Sequence, residues 1–467
     1  MNQMKVFNRT LGPFSASALI VGSIVGTGIF FFVSDVGYLL RNPFTILAAW
    51  AIGGLIALLG AFCLSELAAT YPETGGIYIY LRKAFGPLIS FEYAWSKFLI
   101  MRVGSYSIQS LAFAYFTAEF FSLNADKIQK PMAVLTLAVI CIINMIGVKW
   151  GGFVQNVLTS GKVISLLFII LIGAAVAAGF LNAGNSHTTL EPVKPSSEPG
   201  FVLFGLALIA IMWTFGGWDE SPFVAEEIIR PERNIPLSLI GGLAVCVVLY
   251  VLTNASYMSV LSIEEFASSG GRTATLVLER VFGEWGRRLL SLLLMMSTFG
   301  AANGMILTGA RIAYASGRDN AVFGWFAQTH HRTKTPIRGL LVQFILGSSA
   351  IVIMNDPFKL LIFTGFAYWF FTALIPIALF ILRRKDAGKQ RPFQAFLYPV
   401  SPVLFFIAAL AMIGAVIKND IPKWSGASWM SDPPTLFICA VIFITGAAVF
   451  FIQRKTSPDN KKQEDIV

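Results

Sequence analysis

Apolar residues fall into runs of about 18 to 25 along this chain, and short polar stretches separate the runs. A helix of that length crosses a hydrocarbon core of about 30 Å. Twelve such runs predict twelve membrane-spanning helices in an all-α polytopic membrane protein. We place these spans at residues 11–33, 43–68, 88–120, 131–148, 154–180, 200–229, 236–261, 281–315, 337–354, 358–382, 398–417 and 434–453.

The composition agrees with a membrane setting. Of the 467 residues, 56% are apolar and 13% are charged, whereas a soluble chain carries roughly 25% charge. A formal net charge of +10 would suggest a nucleic-acid partner in a soluble protein, but here the basic residues lie mainly in the loops. With both termini inside, 21 of the 35 basic residues are on the inner side and 11 on the outer side. This bias predicts a multi-pass cell-membrane protein with cytoplasmic termini and no nucleic-acid partner.

The four cysteines, Cys63, Cys141, Cys246 and Cys439, lie inside apolar runs. They are therefore predicted to be small buried residues rather than a disulfide framework or a metal site. The first apolar run is too long for the core of a signal peptide, so it is expected to remain as the first span.

Two spans carry glycines at mid-membrane depth. Span 1 contains the segment 22–30 (GSIVGTGIF), and span 6 contains the segment 213–219 (WTFGGWD). Close helix packing explains such glycines in many membrane proteins. Here each segment opens a block of five spans, and paired interrupted helices are typical of inverted-repeat transporters. We therefore predict one transmembrane domain over 1–467, with repeats at 11–180 and 200–382 and two further helices over 398–453.

An interrupted helix exposes backbone groups that lipid cannot satisfy, so the interruption is tolerated where it faces a cavity or a ligand. Backbone N–H groups near Thr27 and Gly28 suit a carboxylate. Carbonyls of Ile24, Trp213 and Gly216 suit an ammonium group. A zwitterionic α-amino acid matches both sets of groups without a fixed charge in the site.

Several short motifs together carry a resemblance to a known family. They are the segments 22–30, 65–67, 73–76, 99–102, 147–150 with Gln155 and Lys162, 215–218, 225–227, 231–236 and 302–304. In this order the chain resembles, nearly end to end, the amino acid–polyamine–organocation superfamily, and within it bacterial relatives of the L-type amino acid transporters.

The resemblance implies a LeuT-like fold with a 5+5 inverted repeat, two C-terminal helices and amino acid transport. It places Lys162 where sodium binds in sodium-coupled relatives, bridging span 1 carbonyls and a span 8 hydroxyl for which Ser297 is the candidate. It also implies that Trp213 acts as an aromatic gate. The expected substrate-binding set is Ser23, Ile24, Gly26, Thr27, Gly28, Trp213, Phe215 and Gly216.

Asp219 departs from the amide that L-type members commonly carry at the matching position. Three interpretations are open: a cap on the second half of span 6, a proton-coupling or substrate-coupling carboxylate, or an ion pair with Lys162 or Arg102.

Several other polar and aromatic residues each have a functional and a structural interpretation. Lys97 and Arg102 are five residues apart in span 3, so a regular helix would not present them on one tight face. Glu226 and Glu227 are candidates for an intracellular gate with Arg82 or Arg311, or for simple solvation. The aromatic residues Tyr368 and Trp369 belong to an outer gate or to packing.

Together these features predict a transporter rather than an enzyme: a sodium-independent exchanger of neutral L-amino acids. The alternatives are a proton-coupled symporter, a cationic amino acid or polyamine transporter and, more remotely, an ion channel or an intramembrane enzyme. No cofactor or bound metal is expected. The loop 123–130 has no cysteine, so no disulfide-linked heavy subunit is expected. A homo-oligomer is left open.

Overall fold

The computed structural model of the protein describes residues 12–73, 75–146, 151–181, 200–219, 228–319, 335–354, 356–424 and 434–456. Over these residues the chain is built from α-helices, as the apolar runs predict. The helices, in chain order, are α1 Pro13–Ile24, α2 Gly28–Phe31, α3 Val33–Leu40, α4 Pro43–Thr70, α5 Ile77–Phe85, α6 Pro87–Ser96, α7 Arg102–Phe121, α8 Ala125–Ile146, α9 Gly151–Ala177, α10 Gly200–Thr214, α11 Pro231–Val260, α12 Ile263–Ser268, α13 Thr273–Asp319, α14 Ile337–Met354, α15 Pro357–Thr372, α16 Leu374–Lys385, α17 Val400–Trp424 and α18 Thr435–Thr456.

Eight helices in the described part of the chain are long and apolar enough to cross a membrane. They correspond to the predicted spans 2, 4 and 7–12. Spans 5 and 6 contain shorter apolar helices, over Gly161–Ala177 and Gly200–Thr214. Spans 1 and 3 are divided rather than continuous.

The divisions fall at particular residues. Span 1 consists of α1, α2 and α3, with a non-helical link at residues 25–27. In span 3, a π-helical turn over Lys97–Met101 joins α6 to α7. The long helix α13 contains a non-helical residue, Gly283, at φ 65°. Hydropathy along the chain therefore predicted the eight described helices that are long and apolar enough to cross a membrane, but it did not predict the π-turn in span 3 or the non-helical Gly283 in α13.

Local sequence explains where several helices begin. Asn42 precedes Pro43, and its side chain accepts a hydrogen bond from the Thr45 N–H at 3.0 Å. Proline suits the first position of a helix because its missing N–H would have no partner there. At α12, Ser262 and Glu265 form a reciprocal capping box, which satisfies two of the first N–H groups of the helix.

The helices pack into one bundle in which α7 contacts α13, α4 contacts α11, and α11 contacts α1 and α9. Large apolar side chains such as Phe44 and Ile444 are exposed on the outside, as expected for a surface that faces lipid. The four cysteines are all buried, which confirms that they are buried residues. The two interruptions in spans 1 and 6 lie inside this bundle.

Candidate functional site

The first interruption separates α1 from α2. The Val25 N–H still donates to the Val21 carbonyl at 2.7 Å, and α2 begins at Gly28 with Thr27 as its N-cap residue. Thr27 and Gly28 are buried, whereas Ser23 is exposed. The first N–H groups of a helix have no acceptor within the helix, so this interruption supplies backbone donors inside the protein.

The second interruption, as we call it, is the end of α10 at Thr214 within predicted span 6, followed by the described residues 215–219; residues 220–227 lie outside the described ranges. The Gly216 N–H donates to the Trp213 carbonyl at 2.9 Å, which turns the chain directly after Thr214. Gly217 has φ +106°, a conformation that side chains with a Cβ rarely adopt. The Trp213 carbonyl, which is predicted to accept a hydrogen bond from the substrate ammonium, therefore already accepts one from within the chain.

The two interruptions are in direct contact with each other. A Cβ on Gly28 would lie 2.5 Å from the Thr214 Oγ1, and a Cβ on Gly217 would lie 2.6 Å from the Ser23 carbonyl oxygen. Both distances are too short for any residue but glycine. The structure thus brings together the two segments that the sequence singled out.

Tyr250 joins the two interruptions, and the sequence alone did not indicate it. Its hydroxyl lies 2.8 Å from the Ile24 carbonyl and 3.2 Å from the Thr214 carbonyl. These are the last residues of α1 and α10. The hydroxyl proton is shared between two carbonyls that the ends of the helices would otherwise leave without a donor.

The ring of Tyr250 belongs to a buried aromatic cluster with Trp50 and Phe215. Its centroid lies 5.8 Å from that of Trp50 and 5.0 Å from that of Phe215. Phe215 is fully buried. The Phe215 side chain therefore supports the second interruption from within the bundle, and only its backbone remains for the predicted contact with substrate.

A second missed residue is Gln109 on α7. The Thr27 hydroxyl donates to its Oε1 at 2.5 Å, and both side chains are buried. This bond fixes the start of α2 against span 3. An amide inside an otherwise apolar span was the only signal in the sequence.

Trp213, which the resemblance predicts to be an aromatic gate, lies near the end of α10. Its ring meets that of Phe32 edge to face, with centroids 5.2 Å apart. Trp213 is only partly buried, whereas Phe32 is buried. In span 10, by contrast, Trp369 is buried and packs on Phe405, so for this residue the packing interpretation applies.

Asp219 forms an ion pair with Lys97, a cation that the sequence did not indicate as its partner. The Lys97 ammonium lies 3.9 Å from the Asp219 Oδ2, and both side chains are buried. The π-turn explains the difference, because its i→i+5 bond from the Arg102 N–H to the Lys97 carbonyl shifts the helix faces away from regular α geometry. The expectation that Lys97 and Arg102 do not share one tight helix face was based on regular α-helical geometry.

The predicted bridge from Lys162 to Ser297 is not formed in this structure. Both side chains are buried, and α9, which carries Lys162, packs against α1 and α13. The Ser297 hydroxyl has no hydrogen-bond partner among the described residues. Both polar groups are therefore inside the bundle, without the direct link that the resemblance implied.

Some predicted residues cannot be placed. Residues 147–150, 226 and 227 lie outside the described ranges. An intracellular gate therefore stays a prediction; it would pair Glu226 or Glu227 with Arg82 or Arg311.

A third feature that the sequence did not predict is an ionic cluster around Glu66. The buried Glu66 carboxylate accepts hydrogen bonds from Arg383 Nε at 2.7 Å and Nη2 at 2.6 Å, and from the Ala395 N–H at 2.6 Å. Arg391 Nε lies 3.4 Å from the same carboxylate. The cluster ties the end of α4 to α16 and to the segment that follows α16.

Comparisons with known proteins agree with this geometry. A family model described as amino acid permease matches residues 11–461. The chain is 28% identical over 414 residues to the serine/threonine exchanger SteT of Bacillus subtilis (strain 168), covering 88% of this chain and 92% of that protein. It is 28% identical over 448 residues to b(0,+)-type amino acid transporter 1 of Mus musculus, covering 95% and 87%. It is 29% identical over 441 residues to the cystine/glutamate transporter of Pongo abelii, covering 93% and 83%.

Proposed function

Because the chain belongs to the amino acid permease family, a family of transporters rather than enzymes, we propose that it is a sodium-independent exchanger of neutral L-amino acids. It works by alternating access around the two interrupted spans. The observation that carries this proposal is the direct contact between the two interruptions, at Gly28 with Thr214 and at Gly217 with Ser23.

The interruptions offer complementary groups to a zwitterion. Backbone N–H groups at Thr27 and Gly28 bind the substrate carboxylate, aided by the positive end of the helix that starts there. The Ile24 carbonyl accepts from the substrate ammonium. Its bond from Tyr250 leaves room for this, because a carbonyl oxygen has two lone pairs.

Gly26 has the free space that a substrate needs. A Cβ placed there would meet only the Ile24 carbonyl oxygen, at 3.6 Å. Ser23, Gly216 and the ring of Trp213 complete the proposed site, with Trp213 covering the bound substrate beside Phe32. The partly exposed positions of Gly26, Trp213 and Gly216 support this arrangement.

The proposed architecture has twelve spans, with both termini cytoplasmic. Spans 1–5 and 6–10 form two inverted repeats, and the interruptions at matching places in α1–α2 and after α10 support this division. All four cysteines are buried, which supports operation without a disulfide-linked second subunit.

Sodium independence is proposed from Lys162. Its buried ammonium supplies a fixed positive charge on α9, a helix that packs against α1 and α13. A charged group inside a span is costly and usually has a role in transport. A second positive ion at the same place would be repelled.

The test is counterflow in proteoliposomes. Vesicles are loaded with one unlabelled amino acid, and uptake of a labelled one is measured with sodium and pH varied. The proposal expects uptake that requires a loaded amino acid and does not change when sodium is replaced by choline. Uptake that requires sodium, or that is equal in empty vesicles, contradicts it.

A matched pair of glycine variants tests the site itself. Gly26→Ala adds a methyl group that the protein can accommodate, so it should weaken substrate binding by competing for space. Gly241→Ala, on α11, also adds a methyl group without contact and should leave exchange unchanged. If both variants bind substrate equally well in the exchange assay, Gly26 does not belong to the substrate-binding site.

Proton-coupled symport is the second candidate, favoured by the buried carboxylate of Asp219 beside the second interruption. It predicts that an inward proton gradient drives net uptake into vesicles that contain no amino acid. The same vesicles therefore discriminate the two mechanisms.

A further inference from the structure

Three lysines gather at the predicted cytoplasmic end of the bundle, where α4 and α16 both finish. Lys83 belongs to α5, Lys385 ends α16, and Lys389 follows it. The Lys389 ammonium lies 4.0 Å from the centroid of the Tyr71 ring, and the Lys83 ammonium lies 5.3 Å from the same centroid. The Lys385 ammonium donates to the Lys83 carbonyl at 3.4 Å. Positive charges from two distant parts of the chain thus meet around one buried tyrosine.

Acidic groups nearby neutralise only part of this charge. Glu73 forms an ion pair with Lys83 at 3.1 Å, and Asp386 accepts a hydrogen bond from the Tyr71 hydroxyl. The segment 383–391, however, contains five basic residues and one acidic residue. A surplus of positive charge therefore remains at this end of the bundle.

The lysines are accessible from outside the protein. Lys385 and Lys389 are exposed, and the Lys83 side chain is 37% exposed. Like charges that lie this close repel one another. An anion that approaches all three ammonium groups removes that repulsion and is attracted by each of them.

An apolar surface begins a few residues further along the chain. The Ala395 N–H donates to the Glu66 carboxylate at 2.6 Å, and the ring of Phe396 packs on that of Phe62 in α4, with centroids 5.7 Å apart. Phe396 and Leu397 are nevertheless about 60% exposed. The exposed apolar side chains continue along α17 at Val403, Leu404 and Ile407.

The two surfaces lie at different depths. Phe62 comes nine residues before Tyr71, the residue that caps the end of α4, which is roughly 13 Å along a helix. The polar layer on each side of a bilayer is about 5–8 Å thick, because the whole bilayer measures about 40–45 Å and its hydrocarbon core about 30 Å. Lysines at the depth of the headgroups therefore place Phe396 at the depth of the acyl chains.

We propose that this surface binds an anionic phospholipid of the inner leaflet. Lys83, Lys385 and Lys389 hold the phosphate of its headgroup, and its acyl chains lie against Phe396 and the exposed face of α17. Lysine binds phosphate as a point charge, and basic clusters at the cytoplasmic ends of spans are typical of anionic lipid recognition. The inference goes beyond the proposed function and takes from it only the cytoplasmic side of these loops.

The test is native mass spectrometry of the purified full chain in detergent, titrated with phosphatidylglycerol or phosphatidylcholine of identical acyl chains. Both lipids carry a phosphate, but phosphatidylcholine also carries a positive charge that the lysines repel. The wild-type protein should bind phosphatidylglycerol at least about fivefold more tightly. Glycerol phosphate, which has the anion without acyl chains, is added as a competitor and should displace little of the bound lipid.

The decisive variant combines Lys83→Gln, Lys385→Gln and Lys389→Gln. Each lysine beside an anionic lipid contributes about fivefold in affinity, so the triple variant should bind phosphatidylglycerol at least about tenfold more weakly. Replacing the same three lysines with arginine keeps the charges and should keep the affinity. If the triple glutamine variant is poorly folded, the single variants at the exposed Lys385 and Lys389 should each lose about fivefold.

A matched control removes three basic residues at the predicted outer side of the bundle. It combines Lys127→Gln, Lys130→Gln and Arg288→Gln, which lie at partly or fully exposed positions on α8 and α13. The control changes the net charge of the protein by the same amount as the triple glutamine variant. It should bind phosphatidylglycerol as the wild type does.

The outcomes separate this inference from the proposed function. Equal binding of the two lipids, or equal binding of phosphatidylglycerol by the wild type and the glutamine variants, overturns the inference. Displacement by glycerol phosphate at concentrations equal to those of the lipid also overturns it, because the site would then bind free phosphate groups. The measurement involves no transport, so selective lipid binding by a protein without counterflow would overturn the proposed function alone.

Discussion

Replacing Tyr250 with phenylalanine tests whether the two interruptions are held together. The change deletes one hydroxyl, which lies 2.8 Å from the Ile24 carbonyl and 3.2 Å from the Thr214 carbonyl. The ring contacts with Trp50 and Phe215 remain. The variant therefore isolates the polar link from the aromatic packing.

The expected loss of stabilisation in Tyr250→Phe follows from the number of hydrogen-bonding groups that lose their partner. The hydroxyl has one proton, so the Tyr250→Phe variant loses about one net hydrogen bond, while two buried carbonyls lose their donor. Such losses cost about 1–3 kcal/mol. If the interruptions open locally, amide hydrogen exchange over residues 24–28 and 213–217 should accelerate by about 5- to 150-fold.

Hydrogen exchange measured by mass spectrometry in detergent or nanodiscs reports this effect directly. Tyr257→Phe is the matched control, because Tyr257 lies seven residues further along α11, is equally buried and donates to the single Ile29 carbonyl at 3.2 Å. Its effect should be confined to α2 and should spare residues 213–217. Unchanged protection of both interruptions in Tyr250→Phe would refute the link.

Three further variants address packing and ion pairs. Gly28→Ala forces a methyl group into the end of α10, so we expect it to abolish counterflow and to lower thermal stability. Glu66→Gln removes the charge of a buried carboxylate and leaves the partly buried Arg383 without its ionic partner, which should cost about 3–5 kcal/mol in denaturant unfolding. Hydrogen bonds from Arg280 hold the pKa of Glu265 below 4.5. That stabilising contribution is therefore complete above about pH 4.5 and is lost as the pH falls through the folded pKa, so the stability difference between wild type and Arg280→Gln should shrink in acid.

Each of these variants has a control on the same molecule. Gly241→Ala, where a methyl group meets no atom, should retain exchange, and a loss there would mean that any added methyl group is harmful. Glu73→Gln removes the carboxylate of a more exposed pair with Lys83 and should cost less than about 1 kcal/mol. Arg288→Gln breaks an exposed pair with Glu284. A stability difference between wild type and Arg280→Gln that does not change with pH would contradict the linkage to the ionisation of Glu265.

The sequence predicted the break after α1 and the end of α10 because glycine has a local meaning. Gly28 meets the Thr214 side chain and Gly217 meets the Ser23 backbone, each too closely for an added methyl group. The apolar runs likewise predicted the eight described helices that are long and apolar enough to cross a membrane. Both signals depend on residues close together in the chain, which is why reading along it was sufficient.

The contacts that tie the site together could not be found in this way. Tyr250 lies 226 residues from Ile24, and Arg383 lies 317 residues from Glu66. Nothing local distinguishes such a tyrosine from a packing residue. The basic residues in loops were interpreted only through their effect on orientation, so the role of Arg383 inside the protein was missed.

The partner of Asp219 was missed for a geometric reason. Periodicity arguments assume regular α-helix, and one π-turn at Lys97–Met101 changes which side chains face a neighbour. Hydropathy carries no signal for such a turn. The ionic partner could therefore be assigned only once the backbone of span 3 was known.

The contact between the two interruptions also constrains how this protein can move. Gly28 packs against Thr214, and Gly217 packs against Ser23, so closely that neither glycine could carry a methyl group. The Tyr250 hydroxyl contacts the carbonyls of the last residues of α1 and α10. Spans 1 and 6 are therefore in direct contact where the two segments meet, and a movement of one has to be accommodated by the other. Their described contacts with α7 include the Thr27–Gln109 hydrogen bond and the edge-to-face contacts of the Phe31 ring with Tyr115 and Phe116, so we expect movement of span 1 against span 3 to change these contacts.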